Sequence, residues 1–260
     1  MKADYKNWVP KGMIYGLGAA TAGLAGAAVA ARRRFKGKLG IVGSAVLGAG
    51  AVGSGALTAW CVYAHNQFSY DGKRKLSKDI IDGIAEYVTL PENGVGLDVG
   101  CSSGALTIAC ARRNPQGRMV GIDRWGAEYA SYSQKLCERN AQAEGVTNVR
   151  FQKGDACKVD FPDESLDAVT SNYVYHNITG KNKQALLRET LRVLKKGGTF
   201  AIHDMMEPVR YGDMEKFVEE LKAGGYEDVQ LISTADGLFM SKLESRVMML
   251  YGSTLLVGRK

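Results

Sequence analysis

The fold is decided by the stretch Gly96-Leu97-Asp98-Val99-Gly100-Cys101-Ser102-Ser103-Gly104-Ala105-Leu106. It predicts an apolar strand over Val95–Val99, a turn of small residues, and a helix over Ala105–Arg113. Gly100 and Gly104 lack side chains where the backbone must bend sharply and approach a ligand closely. The start of the helix offers N–H groups to an anionic group such as a carboxylate. Many nucleotide-binding proteins share such a turn, so it needs support from the rest of the chain.

The chain around this turn alternates between strand and helix patterns. Five more strands are predicted, over Met119–Ile122, Val149–Gln152, Leu166–Ser171, Thr199–Ile202 and Thr254–Val257. Helices are predicted over Ala127–Ala143 and Lys183–Leu194, the second ended by Lys195-Lys196-Gly197-Gly198, since basic residues followed by glycine end helices well. This alternation predicts an α/β fold with a doubly wound, mostly parallel sheet and helices on both faces.

Acidic residues lie at the ends of the first three strands. Asp123 ends the second strand, 25 residues after Asp98, where a carboxylate accepts hydrogen bonds from both ribose hydroxyls of a nucleoside. Asp155 follows the third strand and could accept from an exocyclic adenine amine. Any single acid at such a place can be a turn residue. Three in order, at the edge where open α/β sheets bind ligands, favour a nucleoside site.

These features resemble the class I S-adenosylmethionine-dependent methyltransferases, specifically the small-molecule group that includes the ubiquinone and menaquinone methyltransferases. The resemblance covers about residues 76–260 and is carried by Leu97–Gly104, Asp123, Gly154-Asp155-Ala156, Phe161–Val169 and Leu191–Gly198. It implies a Rossmann-like sheet of seven strands and S-adenosyl-L-methionine as the cofactor, with no metal site. The cofactor-binding residues it implies are Asp98, Gly100, Cys101, Ser102, Gly104, Asp123, Arg124, Asp155, Ala156 and Asn172.

One residue departs from the family pattern. Ser102 occupies the middle glycine of the usual Gly-x-Gly-x-Gly, which a serine tolerates if its φ is negative; otherwise the cofactor site is weakened or degenerate. A membrane-bound protein that binds the cofactor without turnover therefore stays open as an alternative. A nicotinamide dehydrogenase is excluded, because two positions of its Gly-x-Gly-x-x-Gly motif, counted from Gly100, are not matched in this sequence.

The segment after the fourth strand, Ser171 to Asn177, borders the transferring methyl group if the resemblance holds. A general base is required only when the acceptor must lose a proton near neutral pH. His176 and Tyr173 are the predicted catalytic residues, because histidine titrates in that range. His203-Asp204, after the fifth strand, is a second candidate pair. The alternative for His176 is a side chain that only packs or hydrogen-bonds within its loop.

Residues 1–66 are predicted to form a membrane anchor. Two uncharged runs, Gly12–Ala31 and Leu39–Ala64, are each long enough to cross about 30 Å of hydrocarbon as a helix. Small residues recur every four positions, at Gly12, Gly16 and Ala20 and at Ala45, Ala49 and Gly53, which predicts close helix packing in lipid. Trp8 and Trp60 are predicted interfacial anchors. A cleaved signal peptide fits poorly, because two long runs follow each other.

The charge distribution supports membrane lipid rather than nucleic acid as a partner. The first 78 residues hold 12 of the 34 basic residues but only two of the 27 acidic ones, so the positive charge flanks the apolar runs. The remainder of the chain has no basic stripe that would follow a phosphate backbone. The five cysteines are scattered without any Cys-x-x-Cys pair, which suits a reducing compartment.

The cofactor's origin predicts the orientation. S-adenosylmethionine is made inside cells, so the methyltransferase domain, residues 95–260, is predicted to face the cytoplasm from the cell membrane, with the N-terminus on the same side. Basic residues favour the cytoplasmic side of a membrane, and seven of them flank the hairpin on the predicted cytoplasmic side against five in the loop of residues 32–38. Because this difference is small, a shallow re-entrant pair of helices stays open as an alternative. Residues 67–94, including Tyr70 and a helix over Lys75–Val88, are predicted to be a lid or linker. The segment Met205–Asp213 is predicted to line the pocket of a small, lipophilic acceptor.

Overall fold

The computed structural model describes residues 2–126 and 131–260 of the chain, and these form two compact units. The first, here called the hairpin unit, comprises residues 6–77. The second, the sheet unit, comprises residues 78–260 together with the N-terminal residues up to Tyr5. The predicted domain boundaries at residues 66 and 94 stay predictions.

Two long helices form the hairpin unit, as predicted. Helix α1 spans Lys11–Arg34 and α2 spans Gly37–Phe68, and both are long and apolar enough to cross a membrane. Only Phe35 and Lys36 join them, so most of the basic residues predicted for a loop lie in the adjoining helix turns. The connection is tight, because a Cβ at Gly40 would lie 1.9 Å from the carbonyl oxygen of Phe35.

The helices meet on a different face from the two small-residue stripes of the sequence prediction. Thr21 Oγ1 of α1 donates to Ser54 Oγ of α2 at 2.9 Å, and a Cβ at Gly50 would lie 3.6 Å from the Leu24 side chain. A Cβ at Gly12, Gly16 or Gly53 would meet no atom of the described residues within 4 Å. The prediction that these small-residue stripes form the contact between the helices was therefore wrong. A pair of polar side chains and other glycines make that contact.

The sheet unit contains seven strands in the order β3-β2-β1-β4-β5-β7-β6, which confirms the predicted Rossmann-like fold. Their bounds are β1 Val95–Val99, β2 Arg118–Asp123, β3 Val149–Lys153, β4 Leu166–Asn172, β5 Leu194–Met205, β6 Glu227–Ser233 and β7 Ser253–Arg259. All neighbours up to β5 pair in parallel, whereas β7 runs antiparallel to both β5 and β6. The carboxyl ends of β1 to β6 consequently share one edge.

Helices flank this sheet in the sheet unit. They are α3 Leu76–Ala85, which begins at the end of the hairpin unit, α4 Ala105–Arg113, α5 Gln134–Ala143, α6 Lys183–Arg192, α7 Pro208–Tyr211, α8 Met214–Ala223 and α9 Lys242–Val247, with a 3₁₀ turn at Tyr175–Asn177. The core includes a large apolar cluster from both sheet halves, with Leu97, Val169 and Phe200 each no more than 1 % exposed. Burial of this kind dominates the stability of such a fold.

Three elements differ from the sequence prediction. The sixth strand of the chain, β6, was missed because it is an edge strand whose side chains are mostly exposed, so its apolar pattern is weak. Strand β5 begins at Leu194, which pairs with Leu166, so the residues predicted to end a helix lie within a strand. Helix α5 begins only at Gln134, capped by the Ser133 side chain, which accepts from Leu136 N; of the predicted Ala127–Ala143, residues 127–130 lie outside the described residues.

Candidate active site

The turn after β1 is held by its backbone at the carboxyl edge of the sheet. The N–H groups of Gly100 and Cys101 both donate to the Ile122 carbonyl of β2, at 2.8 and 3.0 Å. Gly100 and Gly104 have φ values of +76° and +82°, a region that favours glycine. The side chain of Cys101 is buried and points into the core, so this residue shapes the turn through its backbone.

Gly100 also permits a close approach between two loops. A Cβ there would lie 2.3 Å from Cγ2 of Val174, which belongs to the segment after β4. Only hydrogen fits in that space, so the glycine turn and the segment that carries Tyr173 and His176 lie against each other. The predicted cofactor loop and the predicted catalytic segment are thus neighbours.

Ser102 does not meet the condition set from the sequence. Its φ is +50°, in the left-handed region, although a negative φ was the condition under which a serine was expected to fit. A residue with a Cβ pays about 1–2 kcal/mol for this conformation. The hydrogen bonds of its own peptide groups hold it there: Ser102 N donates to Asp123 Oδ2 at 2.9 Å, and its carbonyl accepts from Trp125 Nε1 at 3.0 Å.

Asp98 lies beneath the turn rather than at its surface. Its carboxylate is 1 % exposed and accepts from Thr107 Oγ1 at 2.6 Å and from Thr170 Oγ1 at 3.2 Å. Burial raises its pKa to about 6, against the lowering effect of the two threonine hydrogen bonds. The structure thus gives this side chain a supporting position that joins β1, α4 and β4.

Asp123 lies at the tip of β2 with acceptor capacity to spare. Its Oδ1 accepts from Trp125 N at 2.8 Å, and its Oδ2 accepts the Ser102 amide. Each carboxylate oxygen can accept two hydrogen bonds, so two lone pairs remain beyond these two backbone donors. That matches two vicinal hydroxyls. Arg124 follows it as an exposed residue.

The acidic residue after β3 is partly a turn residue, as the sequence allowed. Asp155 Oδ1 accepts from Cys157 N at 2.8 Å, and both Asp155 and Ala156 are partly exposed at the same edge as Asp123. Two acceptor carboxylates at neighbouring strand tips, and the first turn of α4 behind a glycine turn, fit an adenosine that carries an amino-acid carboxylate. The residues present therefore fit S-adenosylmethionine by the chemistry of their donors and acceptors.

His176 is held by a buried carboxylate. Its Nδ1 lies 2.5 Å from Oδ1 of Asp204, which is fully buried at the end of β5. Because the carboxylate can only accept there, the neutral ring carries its proton on Nδ1 and its lone pair on Nε2. In the described part of the chain nothing hydrogen-bonds Nε2. The other Asp204 oxygen accepts from Tyr175 N at 2.8 Å, which orients the pair.

His203, the second candidate from the sequence, is a different kind of histidine. It is fully buried, with Nδ1 2.8 Å from Asn172 Oδ1 and Nε2 2.7 Å from Thr234 Oγ1. Burial lowers its pKa to about 3, so the ring stays neutral and both nitrogens are used. His203 is therefore poorly suited to act as a base, and the Asp204 carboxylate contacts His176 instead. Asn172 turns its amide oxygen to this histidine.

Tyr173 is placed between the two histidines. Its ring centroid lies 4.6 Å from that of His203 and 6.1 Å from that of His176, and its hydroxyl lies 2.7 Å from Ser253 Oγ. Burial raises its pKa, which disfavours a phenolate. This environment suits a residue that positions its neighbours.

Sequence reasoning missed two partners of the predicted residues. Asp204 was noted only beside His203, because nothing local shows that it faces a residue 28 positions earlier. Trp125 was not singled out, although it stands two residues after Asp123 and is large enough to reach back to the first turn. For Trp125 the available signal was an aromatic residue two positions after an acidic strand tip.

Comparisons with known proteins agree with this geometry. Residues 97–202 match the family described as "Methyltransferase domain". Demethylmenaquinone methyltransferase of Geobacillus stearothermophilus is 32% identical over 117 residues, which are 45% of this chain and 47% of the relative. The 2-phytyl-1,4-naphtoquinone methyltransferase of Thermosynechococcus vestitus is 32% identical over 124 residues, 47% of this chain and 51% of the relative. The chain thus spans about half the length of the curated relatives it matches.

Solved structures agree on the fold. The [4+2]-cyclase SpnF covers 72% of this chain and 82% of its own, with a TM-score of 0.55 and 20% identity. Geranyl diphosphate C-methyltransferase from Streptomyces coelicolor covers 71% and 79%, with a TM-score of 0.53 and 13% identity. Sequence identities this low support a shared fold and nothing further. Together with the fold, the family match supports a class I S-adenosylmethionine-dependent methyltransferase domain over residues 97–202, with S-adenosylmethionine as the cofactor, and the sequence of this domain is similar to those of the quinone methyltransferases.

Proposed function

We propose that this chain transfers the methyl group of S-adenosylmethionine to a small, lipophilic acceptor at a membrane to which the hairpin unit anchors it. The observation that carries the proposal is the close approach of Gly100 to Val174, because it brings the cofactor turn beside the segment of His176. A nucleoside site and a proton acceptor are then neighbours at one sheet edge. Chemistry that needs both can take place there.

Each residue has a distinct task in this proposal. The cofactor supplies an electrophilic methyl group on a sulfonium centre, so orientation contributes much of the acceleration. Asp123 binds the ribose and Asp155 binds the adenine amine. His176 Nε2 takes the proton that the acceptor loses, and the resulting imidazolium is stabilised by the Asp204 carboxylate 2.5 Å from Nδ1. Tyr173, packed against both histidines, keeps the His176 segment in place.

The surface of the sheet unit supports a lipophilic acceptor. The connections that follow β5 and β6 begin at the carboxyl edge and expose large apolar side chains. We call these residues the apolar collar: Val209, Leu238, Leu243, Val247, Met249 and Tyr251. Leu243 is 73 % exposed and lies four residues from Val247 on α9, so both share a helix face. Two exposed apolar side chains on one helix face favour contact with an apolar ligand or surface.

A row of rings leads from the collar to the proposed base. Phe239, next to Leu238, lies 5.7 Å from His203 between centroids, and His203 in turn contacts Tyr173 beside His176. The predicted lining residue Met206 directly follows β5 and is only 6 % exposed, whereas Met205, at the end of β5, is partly exposed. The names of the curated relatives also indicate quinone-type acceptors for those proteins. We therefore place the acceptor's apolar part along the collar.

Turnover with matched acceptors tests this proposal. The full chain in detergent micelles is given S-adenosylmethionine with a prenylated naphthohydroquinone or with the same ring lacking its prenyl chain, and S-adenosylhomocysteine is measured. We expect a kcat/KM at least tenfold higher for the prenylated acceptor, and an Asp123→Ala control without turnover. Equal rates would overturn the lipophilic part. A chain that binds the cofactor but forms no product with these acceptors or a membrane extract would favour a binding protein.

We further propose that the hairpin crosses the membrane, with its N-terminus and the sheet unit in the cytoplasm and residues 67–94 as a lid or linker. Within the hairpin unit the two ends are tied together: Asn7 Nδ2 donates to the His65 carbonyl at 2.9 Å, and His65 Nδ1 lies 2.7 Å from the Val9 carbonyl. The chain thus enters and leaves the hairpin at one end. A re-entrant pair would share that feature but keep its turn inside.

Labelling at the turn separates the two arrangements. Gly37 has a φ of +66°, so the reporter cysteine goes to the exposed Lys36, in a chain whose partly exposed Cys157 is changed to serine. We expect Lys36→Cys to react with an impermeant maleimide in intact cells, whereas a control Lys2→Cys reacts only after permeabilisation. Reaction of both only after permeabilisation would overturn the crossing and favour the re-entrant pair.

A further inference from the structure

The middle residue of the cofactor turn is held by contacts from outside the turn. Ser102 adopts the left-handed conformation that a side chain disfavours, with a φ of +50°. Its N–H donates to Asp123, and its carbonyl accepts from Trp125 Nε1 at 3.0 Å and from the Cys137 thiol at 3.2 Å. Within the turn itself Ser102 Oγ reaches only the Gly100 carbonyl, at 3.4 Å. The conformation is therefore imposed by β2, its following loop and α5.

Trp125 is the element that closes this arrangement. Its own backbone N–H donates to the second Asp123 oxygen at 2.8 Å, and its φ is +43°. Its ring packs against a buried cluster that includes Cys101, Cys137 and Phe151. The carboxylate of Asp123 thus holds the amides of Ser102 and Trp125, and the indole N–H returns to the Ser102 carbonyl. Three residues form a closed ring of hydrogen bonds around the predicted ribose site.

We propose that Trp125 is a positioning residue for the cofactor, holding Ser102 in the conformation that glycine would adopt unaided. The proposal rests on the proposed function, since it assumes that the cofactor binds at Asp123. The indole is suited to the task because its Nε1 is a donor only, and a carbonyl is its natural partner. A phenylalanine could fill most of the same volume but could not donate. The ring's packing and its hydrogen bond can thus be separated experimentally.

The alternative is that Trp125 is only a core residue. In that case replacement by phenylalanine lowers the stability of the fold, and the loss does not depend on which residue stands at position 102. If Trp125 positions Ser102, the loss falls on cofactor affinity and is largest when a residue with a Cβ stands there. Glycine at position 102 adopts the left-handed region readily, so it should make the indole N–H dispensable.

A double-mutant cycle tests this difference. The full chain, Trp125→Phe, Ser102→Gly and the double variant are compared by calorimetric binding of S-adenosylhomocysteine and by thermal unfolding, with Trp60→Phe of α2 as the matched control. We expect Trp125→Phe to weaken binding roughly 5- to 20-fold, about 1–2 kcal/mol, with little change in unfolding temperature. The double variant should bind within threefold of Ser102→Gly, and Trp60→Phe should bind as the parent.

Several outcomes would overturn the proposal. Binding by Trp125→Phe within twofold of the parent would do so, as would an equal loss in both backgrounds. If Trp125→Phe does not fold, a benzothienyl analogue of tryptophan at position 125, which keeps the ring shape but replaces N–H by sulfur, takes its place with the same expectations. A parent chain that binds neither S-adenosylhomocysteine nor S-adenosylmethionine would overturn the proposed function, and this proposal with it.

Discussion

The two halves of the carboxyl edge are built on different principles. At the tips of β1, β2 and β3 the site is made largely of backbone: the amides of Gly100, Cys101 and Ser102 bond to Ile122 and Asp123. At the tips of β4, β5 and β7 it is made of side-chain pairs. The residues in these pairs come from distant parts of the chain, as with Tyr173 and Ser253, which are 80 positions apart.

This difference explains why one half can be predicted from the sequence and the other cannot. A backbone site needs glycines at fixed positions and an acid at the next strand tip, and those requirements leave local marks. A side-chain site needs partners that only the folded sheet brings together. The sequence therefore predicts Gly100, Gly104 and Asp123 as parts of one site, but it does not show that Asp204 contacts His176.

The largest effect is expected from the backbone half. Asp123→Ala should weaken S-adenosylhomocysteine binding roughly 30- to 1000-fold, a loss of about 2–4 kcal/mol, because it removes the ribose acceptor. The change also leaves the Ser102 and Trp125 amides without the acceptor they use at 2.9 and 2.8 Å. Calorimetry on the folded variant measures it. Asp160→Ala, at an exposed acid beyond β3, is the matched control and should bind as the parent. Binding by Asp123→Ala within threefold of the parent would contradict the ribose assignment.

In the side-chain half the two histidines should behave differently. His176→Ala should lower kcat at least a hundredfold while cofactor affinity stays within threefold, because Nε2 is the proposed proton acceptor. His203→Gln should instead lower the free energy of unfolding by about 1–3 kcal/mol, since it disturbs a buried group bonded to Asn172 and Thr234. Steady-state kinetics and denaturant unfolding of both variants measure this. A kcat for His176→Ala above a tenth of the parent's would reduce His176 to a packing residue.

The same contrast holds for the rest of the fold. Helix α4 was predicted with its observed bounds, because it follows directly from the glycine turn. Strand β6 left no clear pattern, since its only buried residue is Val229. The contact between α1 and α2 could not be derived either, because glycines occur on several faces of both helices and only the packed pair shows which are used. A structural requirement that is local leaves a pattern in the sequence. A requirement that depends on a distant residue or a second helix leaves none.

A buried group from each half should make opposite contributions to stability as the pH changes. Asp98 has its pKa raised from 3.8 to about 6, so the folded state binds its proton more tightly and stability falls as the pH rises through 4 to 6. His203 has its pKa lowered from 6.5 to about 3, so stability falls as the pH drops below about 6.5. Between pH 4 and 6 the two slopes, each about 1.4 kcal/mol per pH unit, oppose each other.

Removing the Asp98 carboxyl group should therefore reveal the pH dependence that His203 contributes to the stability of the fold. Relative to the parent, Asp98→Asn is expected to lose about 1.4 kcal/mol of unfolding free energy for each pH unit from 6 down to 4. Denaturant unfolding at pH 4, 5 and 6 measures the difference, and Asp160→Asn, at an exposed position, should run parallel to the parent. A difference between Asp98→Asn and the parent that stays constant with pH would mean that Asp98 keeps an ordinary pKa in the fold.

The smallest effect on kcat is expected at Tyr173, which more than one contact holds in place. Tyr173 is bonded through its hydroxyl to Ser253 and is also held by its backbone N–H, which donates to the His203 carbonyl at 2.9 Å. If it positions the His176 segment, Tyr173→Phe keeps the ring and the backbone contact, so kcat should fall less than tenfold. Ser253→Ala should have the same effect, because both variants remove one hydrogen bond worth about 1 kcal/mol. If the phenol itself exchanged a proton with the acceptor, Tyr173→Phe would lower kcat by two orders of magnitude and Ser253→Ala would not. Steady-state kinetics of the two variants under saturating cofactor separates these cases. Equal small losses in kcat would mean that His176 is the only proton acceptor that the side-chain half needs. A large loss of kcat in Tyr173→Phe alone would mean that the tyrosine hydroxyl takes part in the proton transfer.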